Sequence, residues 1–335
     1  MNLACFSKHT NLSRHGGTSS IRPLKINFIR LKRIIKSFIL LLIPFSLAGQ
    51  LAPVTSQYVL NPLSINPAFA GNRGALNVAA FYRHQWTGIT GAPETMTLAA
   101  DAPFFDSKLG LGLIISNDKI GVTKETHIIT TYSYKINLDN GGLSFGLGAG
   151  LLTTNTAWSD LVVLDPGDEN YLTDSRVFVV PDFSFGVYYT GRNYFAGLSV
   201  PKLLGYKFNF DKNRYTLMIN PDQYNYLLNA GYVYNLSQKI KIFPSTLINF
   251  SPGEKLLVDL NGYVSFNDRF WAGASYRNNR SLGALFQMAI NNQIRFAYTY
   301  DFDLGRLGRY SNGSHEIMLR YEFRYKVDAI TPLSF

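Results

Sequence analysis

The sequence predicts an all-β protein: a transmembrane antiparallel β-barrel of about 14 strands with both termini in the periplasm. Three observations support this prediction. Apolar and polar side chains alternate in one segment after another, with no helical pattern between them. Short turns alternate with longer connections along the chain. A basic stretch and a short apolar run precede the strands, as in exported proteins.

Residues 1–49 are typical of a signal peptide. They carry eight basic side chains and no Asp or Glu, and they end in the apolar run Ser37–Ala48. A membrane anchor is the alternative, but the run is short for a span and contains Pro44. The only cysteine, Cys5, lies in this stretch, so the mature chain is expected to form no disulfide.

The composition agrees with a surface that faces lipid. Aromatic residues make up 14% of the chain and charged residues 16%, whereas soluble proteins carry about 25% charged residues. The net charge of +10 belongs mostly to the presequence, because the chain after residue 49 keeps 24 of the 32 basic residues against 22 acidic ones. The basicity therefore does not indicate binding to nucleic acid.

Residues 50–74 form a predicted periplasmic lead segment with no sustained periodicity. Pro53, Pro62 and Pro67 cannot donate backbone hydrogen bonds, and Asn-Pro pairs favour turns. One possibility is a disordered linker. The other is an ordered segment that folds into the barrel mouth or contacts a periplasmic partner, anchored by its apolar side chains.

The barrel is predicted over residues 75–325, with a tail at 326–335. Its strands are expected at 75–86, 94–103, 108–117, 125–137, 142–155, 178–190, 194–200, 223–235, 240–250, 254–266, 270–277, 281–290, 293–302 and 315–325.

The last strand shows the two faces most clearly, because successive side chains of a strand point to opposite sides. Its lipid face is predicted to carry Ile317, Leu319, Tyr321, Phe323 and Tyr325, and its lumen face Glu316, Met318, Arg320, Glu322 and Arg324. The predicted lipid faces of strands 13 and 8 consist of Ile294, Phe296, Tyr298, Tyr300 and Phe302, and of Tyr226, Leu228, Ala230, Tyr232 and Tyr234. Tyrosines near strand ends suit the aromatic girdles of a membrane barrel.

The connections give the predicted topology. Those after even-numbered strands are short and rich in Gly, Asn and Asp, which suit tight hairpins. The links after strands 9 and 11 are also short and are exceptions to the alternation. Those after strands 1, 3, 5, 7 and 13 are longer, and the longest are expected at 156–177, 201–222 and 303–314. A soluble, secreted β-sandwich is the alternative architecture, but apolar faces with Tyr-rich ends favour the barrel.

A series of short motifs resembles the PorP/SprF family of outer-membrane proteins from Bacteroidota, over about residues 56–325. The series runs through Ser56-Gln57-Tyr58, Asn61-Pro62, Asn66-Pro67-Ala68, Gly71, Tyr82-Arg83-His84-Gln85-Trp86, Gly91-Ala92-Pro93, Pro181-Asp182-Phe183 and Ser314-His315-Glu316. The resemblance concentrates in the lead segment, which favours an ordered segment there.

The resemblance implies a place in the bacterial outer membrane, within the type IX secretion and gliding apparatus. The implied partners are outer-membrane lipid, a secreted surface protein with a type IX C-terminal domain, and components of the periplasmic machinery. It implies a barrel that binds or anchors the secreted protein, or that links the periplasmic machinery to the outer membrane. A porin or a specific solute channel is the alternative function.

No catalytic or metal-binding pattern is present in the sequence. It contains no HExxH motif, and its GxSxG match at Gly142–Gly146 lies within a predicted strand, so it forms no nucleophile elbow. His84, His127 and His315 have no partner at metal-ligand spacing. We therefore expect neither an enzyme nor a cofactor. The acidic loop around Asp165 and Asp168 lacks EF-hand spacing and is expected to be solvated.

Two sets of candidate functional residues follow. The motif residues, expected to bind a partner or to hold the structure, are Tyr58, Asn61, Pro62, Asn66, Pro67, Arg83 and Trp86. The residues expected to line the lumen are Arg295, Glu316, Arg320, Glu322 and Arg324. Because both signs of charge occur on the same strands, a lattice of ion pairs is favoured over a selectivity or docking surface.

Overall fold

The structure, a computed structural model, describes residues 58–105, 107–161, 174–209, 214–278 and 280–323. The predicted signal peptide and C-terminal tail, together with Arg324, Tyr325, Asp165 and Asp168, lie outside these ranges. Among the described residues, no helix has the length and apolar character that a membrane span requires.

Seventeen strands are described. Their bounds are β1 Leu76–His84, β2 Glu94–Phe104, β3 Leu109–Ile120, β4 Thr123–Leu138, β5 Gly141–Thr156, β6 Phe178–Gly191, β7 Tyr194–Val200, β8 Gly205–Asn209, β9 Arg214–Met218, β10 Tyr226–Tyr232, β11 Tyr234–Asn235, β12 Ile240–Phe250, β13 Leu257–Phe266, β14 Phe270–Arg277, β15 Ser281–Ala289, β16 Ile294–Asp303 and β17 Ser314–Phe323.

The sheet closes into a barrel. Each strand pairs antiparallel with its neighbours, β10 pairs with both β7 and β12, and β1 pairs with β17 from Leu76↔Phe323 to His84↔His315. Since β10 and β11 form one interrupted strand and β8 and β9 form a separate hairpin, the barrel has 14 strands, and the predicted antiparallel 14-strand barrel is confirmed. The interruption lies beside Pro244, which has no amide N–H to offer a neighbouring strand.

The two faces of the wall alternate as in a membrane barrel. In β17, Leu319 is 53% exposed on the outer face, whereas Arg320 and Met318 point inward and are fully buried. In β16, Arg295, Thr299 and Asp301 are buried and lie on the inner face; β10 alternates in the same way. The outer surface is thus apolar and the lumen carries the charges.

Two predicted connections differ from the structure. The sequence predicts a long link after strand 3, but β3 extends to Ile120 and β4 already begins at Thr123. This leaves a turn of Gly121 and Val122, where Gly121 has φ +59°. The β3–β4 pairing continues past the predicted strand ends, from Asp118↔Glu125 to Ile120↔Thr123. The expected long loop at 201–222 contains the β8–β9 hairpin.

The interior of the barrel is filled by the described part of the lead segment. Residues 58–74, which we call the plug, lie inside the lumen, and the side chains of Leu63, Ala68 and Phe69 are almost completely buried. Two 3-10 turns, Pro62–Ser64 and Pro67–Phe69, fold the plug, and each begins with a proline, which suits the first position of a helical turn. The alternating pattern predicts a polar lumen, whereas the structure has an apolar core inside the barrel.

Glycines on the inner wall make room for the plug. A Cβ atom on Gly110 would lie 2.0 Å from the carbonyl oxygen of Ala70, and one on Gly146 would lie 2.1 Å from the amide nitrogen of Ala68. Both glycines lie towards the ends of β3 and β5 that meet the short turns. The plug thus occupies the short-turn half of the lumen.

We expect Gly146→Ala to lower the free energy of unfolding by about 1–3 kcal/mol, because the added methyl group would force the plug backbone to move. Heat-dependent migration of the folded barrel in detergent gels measures this loss. Gly262→Ala is the matched control, since a Cβ atom at Gly262 meets nothing within 4 Å. Equal melting of both variants would contradict the close packing of the plug against β5.

Candidate functional site

Asn66 is the central anchor of the plug. Its side chain is fully buried, and its Nδ2 donates to the carbonyl oxygens of Val187 at 3.0 Å and Leu198 at 3.3 Å. Its Oδ1 accepts from the amide of Ala68 at 2.9 Å, which caps the second 3-10 turn. The side-chain amide of Asn66 therefore connects the plug to β6 and β7 and also caps the 3-10 turn Pro67–Phe69.

Further hydrogen bonds join the plug backbone to the same side of the wall. They run from Ser199 Oγ to the Ile65 carbonyl at 2.5 Å, from Ser133 Oγ to the Ala70 carbonyl at 2.7 Å, and from the Gly71 amide to Asp101 Oδ2 at 3.1 Å. Backbone groups of an irregular segment need such partners once they are removed from water. The plug is thereby attached to β2, β4 and β7.

The opposite side of the wall holds the start of the plug. Asn261 Nδ2 of β13 donates to the hydroxyl of Tyr58 at 2.5 Å. The carbonyl of Leu60 accepts from the guanidinium groups of Arg73 and of Arg320, a β17 residue. The plug thus crosses the lumen and is anchored on both sides.

Aromatic contacts complete the packing. The ring of Phe69 meets Tyr188 edge-on at 5.3 Å, and Tyr188 stacks on Phe195 at 5.9 Å. The guanidinium of Arg73 lies 5.0 Å from the centre of the Phe69 ring, which places its charge over the aromatic face. Such pairs add to the stability that burial of the rings provides.

The structure gathers the predicted motif residues at two places. Tyr58, Asn61, Pro62, Asn66 and Pro67 are all buried in the plug, and the Asn61 carbonyl accepts from Ser64 Oγ at 2.7 Å. Arg83 and Trp86 lie instead at the long-loop end of β1, away from the plug anchors.

Arg83 forms a buried ion cluster at the seam where the barrel closes. Its Nη1 lies 3.0 Å from Asp301 Oδ2 and 2.8 Å from Glu316 Oε2, so the contact joins β1 to β16 and β17. All three side chains are almost fully buried. This arrangement agrees with the ion-pair lattice that the sequence favours.

Trp86 fastens the loop after β1 to the end of β16. Its Nε1 donates to Asp303 Oδ2 at 2.9 Å, and its backbone amide donates to Ser314 Oγ at 3.1 Å. Its φ of +45° is uncommon for a residue with a side chain, and these two contacts hold it there.

The predicted lumen residues lie inside the barrel as far as they are described. Arg295 places its guanidinium 5.0 Å from the centre of the Trp271 ring, Glu316 contacts Arg83, and Arg320 contacts the plug. Glu322 is partly buried. A further lumen pair, not predicted from the sequence, is the bidentate contact of Arg277 with Asp259. The two residues are cross-strand partners in the β13–β14 hairpin, and that register is the sequence signal that could have indicated the pair.

His84 and His315 are cross-strand partners, as the pairing of the first and last strands predicts. They lie on the outer face of their strands, and His315 Nδ1 is 2.6 Å from the hydroxyl of Tyr298. This places both histidines in the aromatic rim of the barrel wall rather than in the lumen.

Above the plug, a cavity of about 380 Å³ lies at the long-loop end of the lumen; we call it the loop-end cavity. The plug residues Ser64 and Ile65 form part of its lining. Its other lining residues include Arg83, Thr95, Ile114, Asp118, Glu125, His127, Ile129, Leu152, Asp182, Lys202, Leu227 and Asn249. No local pattern in the sequence indicates this site, because its residues come from separate strands and loops.

Charged groups meet across this cavity. His127 Nε2 of β4 lies 2.7 Å from Asp182 Oδ2 of β6, reaching over the intervening strand β5. Lys202 lies in the loop after β7, where burial lowers the pKa of its ammonium group and the nearby Asp182 and Glu125 oppose that shift. Across the described ranges, no group of three or more His, Cys, Asp or Glu side chains is arranged to hold a metal ion.

The closed antiparallel barrel, with its apolar outer face and charged lumen, defines an outer-membrane β-barrel protein. The family can also be stated. The chain belongs to the PorP/SprF family of type IX secretion system membrane proteins, whose model matches residues 47–321. This confirms the family resemblance, and with it the outer membrane as the location.

Solved structures similar to this chain include a transporter, an outer membrane protein and a channel. They are the Ralstonia pickettii toluene transporter TbuX (TM-score 0.47, 11% identity, covering 83% of this chain and 96% of that chain), the Acinetobacter baumannii outer membrane protein Omp33 (0.45, 9%, 75% and 98%) and the CymD monoaromatic hydrocarbon channel (0.45, 10%, 83% and 95%). No match was found among curated proteins.

We expect Arg83→Met to cost about 3–5 kcal/mol of unfolding free energy, because it leaves two buried carboxylates without their shared cation. Urea unfolding of the barrel in lipid vesicles measures this cost. Lys241→Met is the control, since it breaks the more exposed pair with Asp268 and should cost less than about 1 kcal/mol. Similar losses in both variants would contradict a special role for the seam cluster.

Proposed function

We propose that this protein is a non-enzymatic scaffold of the type IX secretion or gliding apparatus. It binds or anchors a secreted surface protein through that protein's type IX C-terminal domain, or links the periplasmic machinery to the outer membrane, or does both. Membership of the PorP/SprF family supports the pathway. The observation that carries the scaffold role is the plug, which is anchored on opposite sides of the lumen.

The plug argues against the alternative of an open porin. A diffusion porin keeps a water-filled channel through its whole length. Here the short-turn half of the lumen holds buried apolar side chains, including Leu63 and Phe69, and the loop-end cavity ends at Ser64 and Ile65. A barrel with such a filled lumen is better suited to holding partners at its two ends than to passing solutes.

The short-turn end is proposed to face the periplasm and the long-loop end the cell exterior, as in other outer-membrane barrels. In this orientation the plug residues Tyr58, Asn61, Pro62, Asn66 and Pro67 lie on the side of the periplasmic machinery. Arg83 and Trp86 stabilise the side that meets a secreted partner.

The purified protein is expected to show no large, steady conductance in planar bilayers, because the plug fills the lumen. Removal of residues 58–72 should open the barrel and raise the conductance, since the wall is closed by its own strand pairing. A large, steady conductance of the unaltered protein would favour the porin function instead.

The variant Asn61→Ala with Asn66→Ala is expected to insert into the outer membrane but to lose display of the secreted partner. Removal of the Asn66 amide breaks the contacts with Val187 and Leu198 and should cost about 1–3 kcal/mol, which the barrel wall can tolerate. Surface labelling of cells with intact outer membranes measures display, and heat-modifiable migration measures folding.

The matched control for this variant is Asn117→Ala, which removes an exposed hydrogen bond to Thr126 and leaves the plug untouched. It should keep full display. Normal display in the plug variant would remove the plug from the functional surface.

The orientation can be tested with cysteine labelling, because the only native cysteine is Cys5 in the presequence. Cysteine placed at Tyr310, which is 77% exposed in a long loop, should react with a membrane-impermeant thiol reagent on whole cells. Cysteine at Asn140, in a short turn, should react only after permeabilisation. The reverse pattern would invert the orientation. Asn170 and Asn213, which the sequence also places outside the cell, lie beyond the described residues.

A further inference from the structure

We propose that the loop-end cavity is a socket for one basic side chain, lysine or arginine, of the secreted polypeptide that the barrel holds. The identity of the partner rests on the proposed function. The chemistry of the socket rests on the residues that line it, which none of the comparisons assigns to a role.

Two carboxylates face each other on the cavity wall. Asp118 of β3 and Glu125 of β4 are cross-strand partners, and both line the cavity. Like charges placed directly opposite each other destabilise a sheet. The hydroxyl of Thr95 donates to Asp118 Oδ1 and so holds this carboxylate in position. A cation bound between the two carboxylates would remove their repulsion.

Two buried oxygen atoms in the same cavity point to a ligand that donates hydrogen bonds. Asp182 is only 1% exposed, and its Oδ1 has no hydrogen-bond partner among the described residues. Asn249, on the other side of the cavity, is 3% exposed, and its Oδ1 has no such partner there either. Buried polar atoms in native proteins are nearly always hydrogen-bonded, so these two acceptors call for a donor.

The charge balance favours a positive ligand. The lining contains Asp118, Glu125 and Asp182 as acids, against Arg83, Lys202 and His127 as bases. Arg83 is already engaged by Asp301 and Glu316 outside the lining, so the three lining carboxylates face only Lys202 and the imidazole of His127. An ammonium or guanidinium group of a partner would reduce this excess.

The apolar part of the cavity suits the stem of a long basic side chain. Ile65, Ile114, Ile129, Leu152 and Leu227 line it beside the carboxylates. Lysine and arginine bury their methylene stems along apolar surface while their charged ends make polar contacts. The volume of about 380 Å³ lies in the range of ligand pockets, and the loop end is the side proposed to face the exterior.

Calorimetric titration of the purified full barrel in detergent tests the socket. The probe is the capped peptide Gly-Gly-Lys-Gly-Gly, and its norleucine counterpart is the uncharged control. We expect the lysine peptide alone to bind, and its binding to weaken as salt is added. The variant Asp118→Asn with Glu125→Gln should bind the lysine peptide about tenfold or more weakly.

The matched control variant is Asp160→Asn with Asp222→Asn, which removes two exposed carboxylates from loops at the same end of the barrel. It should bind the lysine peptide as the unaltered protein does. The substitution relieves the repulsion between Asp118 and Glu125 but also removes a charge that faces Lys202, so the melting temperature of each variant is measured beside its binding. A folded socket variant that no longer binds the lysine peptide is the expected result. Equal binding of both peptides, or unchanged binding in the socket variant, would overturn the socket.

Further outcomes separate this inference from the proposed function. If n-butylamine binds as tightly as the lysine peptide, a polypeptide occupant is wrong. If the socket variant loses peptide binding but displays the partner normally, the assignment of the socket to that partner is wrong. If deletion of the whole protein leaves display of every surface protein unchanged while the purified barrel still binds the lysine peptide, the proposed function fails and the socket chemistry stands.

Discussion

The structure depends on one constraint: in a membrane every backbone N–H and C=O group needs a partner within the protein. The pairing of β1 with β17 meets that constraint, because it removes the two open edges that the sheet would otherwise have. The Arg83 cluster reinforces the same seam from inside, since it joins β1 to both strands that follow it around the barrel. The closing strands are also the farthest apart in the sequence, so closure comes with the highest cost in chain entropy.

Closure creates a second problem, because a barrel of 14 strands encloses more space than its own side chains fill. The plug fills part of this space. Prolines begin its turns, Asn66 supplies both a cap and two contacts to the wall, and wall glycines let its backbone approach closely. The result is an apolar core inside a membrane barrel, which fills the short-turn half of the lumen.

Much of the wall could be predicted from the sequence, because alternation is a local signal. The alternation of adjacent residues is enough to place Leu319 on the outer face and Arg320 on the inner face.

The position of the plug could not be predicted from such a local pattern. Asn66 meets Val187 and Leu198, which are more than a hundred residues away, and an Asn-Pro pair is equally compatible with a turn in a linker. Only the structure reveals that Gly146 makes room for Ala68. The loop-end cavity could not be predicted for the same reason, since Asp118 of β3 and Asn249 of β12 come to line one cavity only when the sheet closes.

The two halves of the lumen meet at Ser64 and Ile65. These residues belong to the plug, yet they also line the cavity above it. The next residue is Asn66, and the carbonyl of Ile65 is itself held by Ser199. An occupant of the cavity would therefore rest on the part of the plug that is most firmly attached to β6 and β7. A load applied at the long-loop end would pass into the barrel wall through these hydrogen bonds rather than through a flexible loop. This is the mechanical property that a scaffold needs if it is to hold a secreted protein at one end and stay closed at the other.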